Sequence, residues 1–185
     1  MRGATAMSSI PTDSYPAQYE SRLTLKNGRQ VLLRPIRHTD GPLLVDLFNK
    51  ISPDSIYFRF LRPLQSLPEA MVHRFTHVDY RTEFALVAAV EEDGKDAVIA
   101  VGRYGYNPDD EHTDFAIAVR DDWQRLGLGR ALLRRVLEIG SEHGIRRFWS
   151  LIDVRNENMR RMLAELGYEV RYSLRDGLFH TEILV

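Results

Sequence analysis

The pattern of hydrophobic and polar positions predicts a hairpin and three short helices in the first part of the chain. Residues 22–34 form two strand-like runs around Asn27-Gly28, a pair that accepts the positive φ angles of a two-residue turn. Apolar residues then recur at helical spacing in three stretches. These stretches begin near Thr39-Asp40, Ser52-Pro53 and Ser66-Leu67-Pro68-Glu69, which carry side chains typical of helix starts, and the last of the three has the form of a capping box.

From Glu83 onward the hydrophobic period becomes that of β-strands. Three apolar runs, at 84–90, 97–106 and 114–119, are separated by a turn at Glu92-Asp93-Gly94 and by a polar loop. Consecutive strands that are joined by short turns pair in the antiparallel sense. This part of the chain therefore predicts an antiparallel meander.

The last third of the chain predicts a strand-helix-strand crossover and a closing hairpin. A helical pattern runs from Leu128 to about Gly144, and residues 148–154 return to strand spacing, which indicates parallel pairing with the preceding strand. A further helix is predicted over 156–166, followed by a hairpin around Asp176-Gly177. The predicted fold class is α/β, in the mixed α+β sense, with a central mixed, mostly antiparallel sheet that is flanked by helices.

Length and charge indicate one domain with no general attraction for polyanions. The 185 residues are 44% hydrophobic, which is enough to bury one core. Residues 1–19 are rich in Ser, Pro, Thr and Ala and predict a flexible leader ahead of a domain at 20–185. Because the net charge is only -1, we expect neither nucleic acid nor an anionic membrane as a partner.

The absence of cysteine excludes disulfides, thiolate metal sites and a cysteine nucleophile within the chain. His73 and His77 have the spacing of two metal ligands on a helix, but Arg74 replaces the glutamate of the zinc-protease motif and no third ligand is apparent. We therefore expect packing or surface histidines and no metal. The chain has no signal-peptide pattern and no apolar run of bilayer length, so a cytoplasmic protein is predicted.

The stretch from Gln124 to Gly129 lies where a strand gives way to a helix. A helix start leaves backbone N–H groups unpaired and carries partial positive charge, which makes it an anion site. Gly127 and Gly129 remove the side chains that would block it, while Arg125 and Arg130 can add charge-assisted hydrogen bonds to a diphosphate. The same glycines would also suit a simple strand-to-helix corner with solvated arginines.

Two other phosphate-binding motifs fit this loop less well. A Walker loop needs Lys and Ser or Thr after its last glycine, where this chain has Arg130 and Ala131. A dinucleotide fingerprint needs a third glycine where Leu132 stands.

The stretch QRLGLG (124–129) resembles the Q/R-x-x-G-x-G/A signature of the GNAT superfamily of acyl-CoA-dependent N-acyltransferases. Asn156, eleven residues before Gly167, is similar to the asparagine that precedes the G-F/Y ending of that superfamily. The blocks VLLRPIRHTD, ISPDSIYFRF, FTHVDYRTEFALVA and FAIAVRDDWQRLGLGRALL resemble the bacterial protein-lysine acetyltransferase (Pat-type) catalytic domains within it. The resemblance implies the GNAT fold, with a β-α-β acyl-CoA-binding core, from about Glu20 to the C-terminus.

The resemblance implies acetyl-CoA as the acyl donor and coenzyme A as a product. It implies a diphosphate on the loop and a pantetheine arm along the preceding strand. That strand is expected to separate from its neighbour at the crossover and to leave backbone groups unpaired, so that an extended amide chain can pair with it as an added strand does. Arg134, Arg146 and Arg147 could reach the adenosine phosphate, although a solvated surface position is the commoner state of arginine. The residues implied in binding the donor are Ile117, Ala118, Val119, Gln124, Arg125, Leu126, Gly127, Leu128, Gly129, Arg130 and Asn156.

Direct acyl transfer needs a general base, because a lysine ammonium with a pKa of about 10.4 is mostly protonated at neutral pH. Asp114 stands ten residues before Gln124, where the resembling enzymes usually carry a glutamate, and it is the first candidate. Glu83, on a neighbouring strand, is the second, as a base or as a ligand for the incoming ammonium. Leu163 occupies the position of the tyrosine acid of many members, so bulk water or the departing proton is expected to protonate the thiolate.

Three functions remain open on the sequence. The leading hypothesis is acetyl transfer to a protein lysine by a monomer or homodimer, with an acyl-CoA synthetase as one candidate acceptor. The second hypothesis keeps the chemistry and changes the acceptor to a small amine. The third is a non-catalytic acyl-CoA sensor, motivated by Asp114 in place of glutamate and Leu163 in place of tyrosine.

Overall fold

A computed structural model describes residues 15–185, in which one sheet of eight strands carries helices on both faces. The strands are β1 (Ser21–Thr24), β2 (Gln30–Pro35), β3 (Glu83–Glu92), β4 (Lys95–Asn107), β5 (His112–Val119), β6 (Arg147–Asp153), β7 (Glu169–Arg175) and β8 (Leu178–Leu184). The helices are α1 (Gly41–Asn49), α2 (Pro53–Phe60), α3 (Glu69–Thr76), α4 (Leu128–Glu142) and α5 (Glu157–Ala164). The predicted order of elements is confirmed, and the strands reach one or two residues beyond several predicted ends.

The sheet has the strand order β1-β2-β3-β4-β5-β6-β8-β7. Only β5 and β6 pair in parallel, through the predicted crossover by α4, and every other neighbouring pair is antiparallel. The parallel pairing consists of a single position, Asp114 with Trp149. Beyond Asp114 the two strands separate, so the β5 edge from residue 115 to 119 has no partner on its β6 side.

Two hydrophobic cores lie on opposite faces of the sheet because side chains alternate along each strand. On β3, Phe84 and Leu86 pack in the core beneath α4 and α5, whereas Ala85 and Val87 pack in the core beneath α1, α2 and α3. Gly102 brings α4 close to β4, since a Cβ there would lie 3.2 Å from Leu132 Cγ. Helices of both layers therefore pack against the central strands of the sheet.

The helix starts follow the sequence signals only in part. Ser52 caps α2 as predicted, because its side chain accepts a hydrogen bond of 3.2 Å from the Ser55 N–H. The predicted capping box of α3 is wrong, since the residue that precedes the helix is Pro68 and Ser66 takes no part in the cap. Proline is compatible with this position because its extended backbone leads directly into the first turn.

Asp40 precedes α1 as predicted but does not cap it. Its carboxylate instead accepts hydrogen bonds of 2.6 and 2.9 Å from the Arg34 guanidinium, and one of 2.7 Å from the Arg37 N–H. Both side chains of the Arg34–Asp40 pair are almost completely buried. The pair ties the start of α1 to the end of β2, so two of the three hydrogen bonds to this carboxylate come from a buried strand residue and none comes from the first turn of α1.

The first hairpin also differs in detail from the prediction. Among Lys26, Asn27 and Gly28, only Gly28 has a positive φ, of 83°, and its N–H donates to the Leu25 carbonyl at 2.9 Å. The connection is therefore a three-residue loop closed by a left-handed glycine, not a two-residue turn. The hairpin at Asp176-Gly177 does have the predicted form, with φ angles of 50° and 76°.

Residues 15–19, which the sequence assigns to the leader, pack against the domain. Tyr19 is 9% exposed and lies in the core beneath α4, with its ring edge on Phe84 at a centroid distance of 5.5 Å. The prediction for residues 1–14 falls outside the described residues. Within the described part of the chain, no helix is both long and apolar enough to span a membrane.

Candidate active site

The loop before α4 presents a continuous row of free backbone amides. No hydrogen bond within residues 15–185 uses the N–H of any residue from Arg125 to Arg130, and the first helical bond is Ala131 N–H to Gly127 O at 3.1 Å. Arg125 and Gly127 adopt left-handed backbone conformations, with φ angles of 61° and 86°. Such a turn followed by a helix start makes a concave anion site, which is the geometry a diphosphate needs.

These amides line a groove of about 760 Å³, here called the α4 groove. Its lining includes Lys26, Ser52, Ser55, Ile117, Ala118, Val119, Gln124, Arg125, Gly127, Gly129, Arg130, Asn156, Met159 and Met162. Gly129 keeps the wall clear, because a Cβ there would lie 3.3 Å from Met162 Sδ and 3.5 Å from Val119 Cγ2. The unpaired β5 edge continues the groove away from the loop, so the amide row and the strand edge form one binding surface.

Not all the predicted donor-binding residues offer their side chains to the α4 groove. Leu128 is fully buried in the core, and Leu126 packs against that core, so each can contribute only its backbone. The Asn156 carboxamide oxygen caps α5 by accepting from the Met159 N–H at 3.1 Å, although the residue lines the groove. Gln124 also lines it, while its amide donates to the Val119 carbonyl at 3.0 Å.

A hydrogen-bonded brace connects the groove rim to α2. The Asp121 carboxylate accepts from the Ser52 N–H at 2.7 Å, from Ser52 Oγ at 2.9 Å and from Ser55 Oγ at 2.8 Å. Burial by itself would raise the pKa of Asp121, but these hydrogen bonds outweigh burial and hold the pKa below its ordinary value. The brace fixes the turn between β5 and the amide row against the start of α2.

The flanking arginines divide between the two ends of α4. Arg130 pairs with Glu165 at 2.9 Å on an exposed surface beside the α4 groove. Arg134 lies one turn further along the helix, and its guanidinium donates to the Glu165 carbonyl at 3.4 Å. Arg146 and Arg147 follow the other end of α4, roughly 20 Å away at 1.5 Å per helical residue, so neither can reach a phosphate at the loop.

The two candidate bases lie in one row across the sheet. Glu83 on β3 pairs with Gly105 on β4, and Gly105 pairs with Asp114 on β5. Residues paired in this way share a face of the sheet. Because Gly105 has no side chain, the space between the two carboxylates stays open, and a Cβ there would lie 3.6 Å from Glu83 Cγ.

This row forms the floor of a second cavity of about 880 Å³, here called the β5 cleft. Its lining includes Arg59, Arg74, Phe75, Glu83, Arg103, Gly105, Tyr106, His112, Asp114, Ala116, Trp149, Leu151 and His180. The Asp114 side chain is 50% exposed, and its Oδ1 lies 2.9 Å from His112 Nε2. Since Asp114 and Ile117–Val119 belong to one strand, the cleft and the α4 groove meet along β5.

Several residues of the β5 cleft were missed by the sequence reasoning. His112 precedes Asp114 by two residues on the same face of β5, and its ring lies 5.4 Å from that of Trp149. Arg103 lies beside Glu83, with 3.7 Å between Nη2 and Oε2. The alternation along β5 could have indicated His112, but Arg103 and Trp149 arrive by strand pairing, which carries no local signal.

The structure shows the surroundings of Leu163 and of the two histidines that have metal-ligand spacing. Leu163 is fully buried in the core, and no tyrosine lines the described part of the α4 groove. His73 ends up stacked on His77, with ring centres 3.8 Å apart, and His77 stacks on His38 at 4.6 Å. No group of three or more potential ligands within residues 15–185 has the arrangement of a metal site.

Comparison with known proteins gives a consistent assignment. The sequence matches the model of the Acetyltransferase (GNAT) family over residues 47–168. It is 31% identical over 145 residues to acetyltransferase PA5475 of Pseudomonas aeruginosa, covering 78% of each chain. The structure superposes on the GNAT domain of S. lividans PAT with a TM-score of 0.84 at 30% identity, covering 93% of this chain and 100% of that one.

A more distant structure shares the fold. It is yncA from Salmonella typhimurium, solved with its cofactor acetyl-CoA, with a TM-score of 0.62 at 18% identity over 83% of this chain and 93% of that one. The chain belongs to the GNAT family of acetyltransferases. It is an acyltransferase of a family that uses acetyl-CoA as its acyl donor.

Proposed function

We propose that this acetyltransferase transfers the acetyl group to the ε-amine of a protein lysine by direct attack. The single observation that carries the proposal is the junction of the α4 groove with the β5 cleft along β5. A donor in the groove and an amine in the cleft would meet at the strand that carries Asp114. The proposal therefore assigns the two cavities to the two reactants.

The α4 groove fits a coenzyme A diphosphate on three grounds. The amide row of residues 125–130 has no acceptor within the described chain, Gly129 leaves a space that a side chain would fill, and the Arg125 guanidinium forms no ion pair there. Lys26 adds a cation, since its side chain lies beside Gly127. The β5 edge from 115 to 119 would pair with an extended, amide-bearing arm.

When bound, acetyl-CoA supplies a thioester carbonyl that is open to attack by an amine. Asp114 accepts a proton from the acceptor ammonium, so that the free amine can form the new N–C bond while the C–S bond breaks. The thiolate leaves as coenzyme A and takes up, through water, the second proton that the nitrogen loses as the amide forms, since Leu163 offers none. An N–H of the 117–119 segment would polarise the carbonyl oxygen.

His112 would position the Asp114 carboxylate through the contact between its Nε2 and Oδ1. Glu83 remains the alternative base. Its carboxylate lies 3.7 Å from the Arg103 guanidinium and faces the open floor at Gly105, where it could bind the acceptor ammonium.

The openness of the β5 cleft supports a folded protein as acceptor over a small amine. Asp114 is half exposed at the floor, and Tyr106 and Leu151 are 47% and 44% exposed at the rim. Exposed apolar side chains around a functional cleft are typical of surfaces that meet another protein. A small amine would instead call for a closed pocket that buries most of the ligand.

The test is incubation of the full chain with labelled acetyl-CoA and either folded bacterial proteins or a panel of amino acids and polyamines. We expect label on protein lysines, located by mass spectrometry, and its loss in Asp114→Asn. Labelling confined to small amines would refute the protein acceptor. Tight donor binding without coenzyme A release from any acceptor would favour the non-catalytic sensor.

A further inference from the structure

Three arginines lie together where the α4 groove, the β5 cleft and a small apolar cavity meet. We call Arg59 on α2, Arg74 on α3 and Arg103 on β4 the arginine cluster. Arg59 lines all three spaces, and Arg103 lines the cleft and the apolar cavity. The guanidinium carbons of Arg59 and Arg103 lie 5.7 and 4.5 Å, respectively, from the ring centre of Phe75, so both contact the same aromatic ring.

The cluster lacks hydrogen-bond acceptors. None of its guanidinium groups donates a hydrogen bond to another residue of the described chain, although each carries five N–H donors. The one carboxylate within ion-pair distance is Glu83, and its 3.7 Å separation from Arg103 exceeds a hydrogen bond. Three positive charges therefore share a single, loosely placed negative charge.

Burial makes this shortage costly. Arg103 is only 9% exposed, and Arg59 is half-buried. Burial, together with the positive charge of Arg103, lowers the pKa of Arg59 to about 10. Burial also lowers the pKa of Arg103 to about 10, although Glu83 partly opposes the shift. Both directions mean that the surroundings disfavour the cations, a condition that a bound anion would reverse.

The cluster lies next to the reaction centre. Arg103 pairs in register with Ala116 of β5, which is two residues from Asp114 on the same face. Diagonal neighbours of this kind are about 7–8 Å apart. Ala118, the next residue on that face, borders the apolar cavity together with Arg59 and Arg103. A group held by the cluster would therefore belong to one of the reactants and not to a distant effector.

We propose that the arginine cluster is a subsite for a carboxylate carried by one of the two reactants. Arg59 and Arg103 would hold the carboxylate through their planar guanidinium forks, and Arg74 would add positive charge at the cleft mouth. The carboxylate has two possible sources, an acidic group beside the acceptor amine or the far end of a dicarboxylic acyl chain. The inference rests on the proposed function and deepens it.

The test compares matched ligand pairs that differ in one carboxylate. The acceptor pairs are lysine peptides with Asp or Asn beside the target, and free lysine or lysinamide, each with acetyl-CoA. The donor pair is succinyl-CoA and butyryl-CoA, whose acyl chains both have four carbons. Steady-state kcat/KM and calorimetric binding are measured for each pair, so that a preference is read with and without turnover.

We expect at least one pair to favour the carboxylate form by about tenfold or more, as for a hydrogen bond to a charged group. Arg59→Met and Arg103→Met should each bring the ratio close to one. Arg59→Lys, which keeps the charge and loses the fork, should give an intermediate ratio. Arg175→Met, on exposed β7, removes a guanidinium far from both cavities and should leave the ratio unchanged.

The outcomes separate the sources and the proposals. A preference confined to acceptors assigns the carboxylate to the acceptor, and one confined to donors assigns it to the acyl chain. Ratios near one in every pair, or a preference that both Met variants retain, would overturn the subsite even if lysines are acetylated. Failure of transfer to these acceptors and also to folded proteins would refute the proposed function, and the calorimetric ratios would still decide the subsite.

Discussion

The α4 groove and the β5 cleft border the same strand but are built from different parts of the chain. The groove is mainly backbone, formed by the amides of 125–130 and the free edge of β5. The cleft is mainly side chains, contributed by strands β3 to β6 and by helices α2 and α3. Under the proposed function, substitutions in the cleft are therefore expected to alter the use of the acceptor and to leave acetyl-CoA binding near its wild-type level.

The largest effect that separates the two regions is expected from Asp114→Asn. Removal of a general base lowers kcat by about 10²–10⁴-fold. The affinity for acetyl-CoA should stay near the wild-type value, because the groove does not use this side chain. Stopped-assay kinetics and calorimetry on the same preparation measure the two quantities.

Glu83→Gln is the matched control for this assignment. It removes the other carboxylate of the row and should mainly raise the KM of the acceptor, since we assign Glu83 to ammonium binding. If Glu83→Gln instead lowers kcat by the larger factor and Asp114→Asn leaves the pH profile of kcat/KM intact, the two roles must be exchanged.

A pair of glycine substitutions gives the next effect. Gly129→Val should weaken acetyl-CoA binding by roughly 5- to 150-fold, because the new side chain packs against Met162 and Val119 in the groove and making room for the donor would cost about 1–3 kcal/mol. Gly105→Ala fits at ordinary contact distance and should leave donor binding unchanged while raising the acceptor KM. Equal loss of donor affinity in both variants would mean that the two regions are not independent.

The smallest effect concerns the brace at Asp121. Its pKa is lower in the folded protein than the ordinary value of 3.8, so its contribution to stability is fully present above that pH and is lost as the pH falls through the folded pKa. Urea unfolding at pH 7 and pH 3 should show a smaller pH dependence of the unfolding free energy in Asp121→Asn than in wild type. An unchanged dependence would show that the brace does not contribute.

The α4 groove could be predicted from the sequence because the residues that form it are close together along the chain. Gly127, Gly129 and the strand-to-helix change lie within a few residues, and each has a direct backbone meaning. The strand separation that frees the β5 edge was also expected from the crossover. Closeness in sequence misleads at Arg146 and Arg147, which belong to the crossover but lie at the end of α4 that is far from the loop.

Residues of the β5 cleft could be predicted only where they belong to a sequence motif. Asp114 was found by its distance from Gln124, and Glu83 by its strand. Arg103 could not be found, because the register that places it beside Glu83 depends on pairing over twenty residues of chain. Asp40 shows the same limit, since its residue type suits a helix cap but a buried arginine on β2 claims its carboxylate.

The single paired position between β5 and β6 makes the sheet a structure of two halves joined by a narrow seam. A donor whose extended arm pairs with the free edge of β5 would act as a ninth strand and would connect the two halves of the sheet. Ligand-linked stabilisation of about 2.7 kcal/mol is expected at a hundredfold excess over Kd. Amide hydrogen exchange at 115–119 should therefore slow sharply when the donor is present, because the bound substrate then serves as part of the sheet.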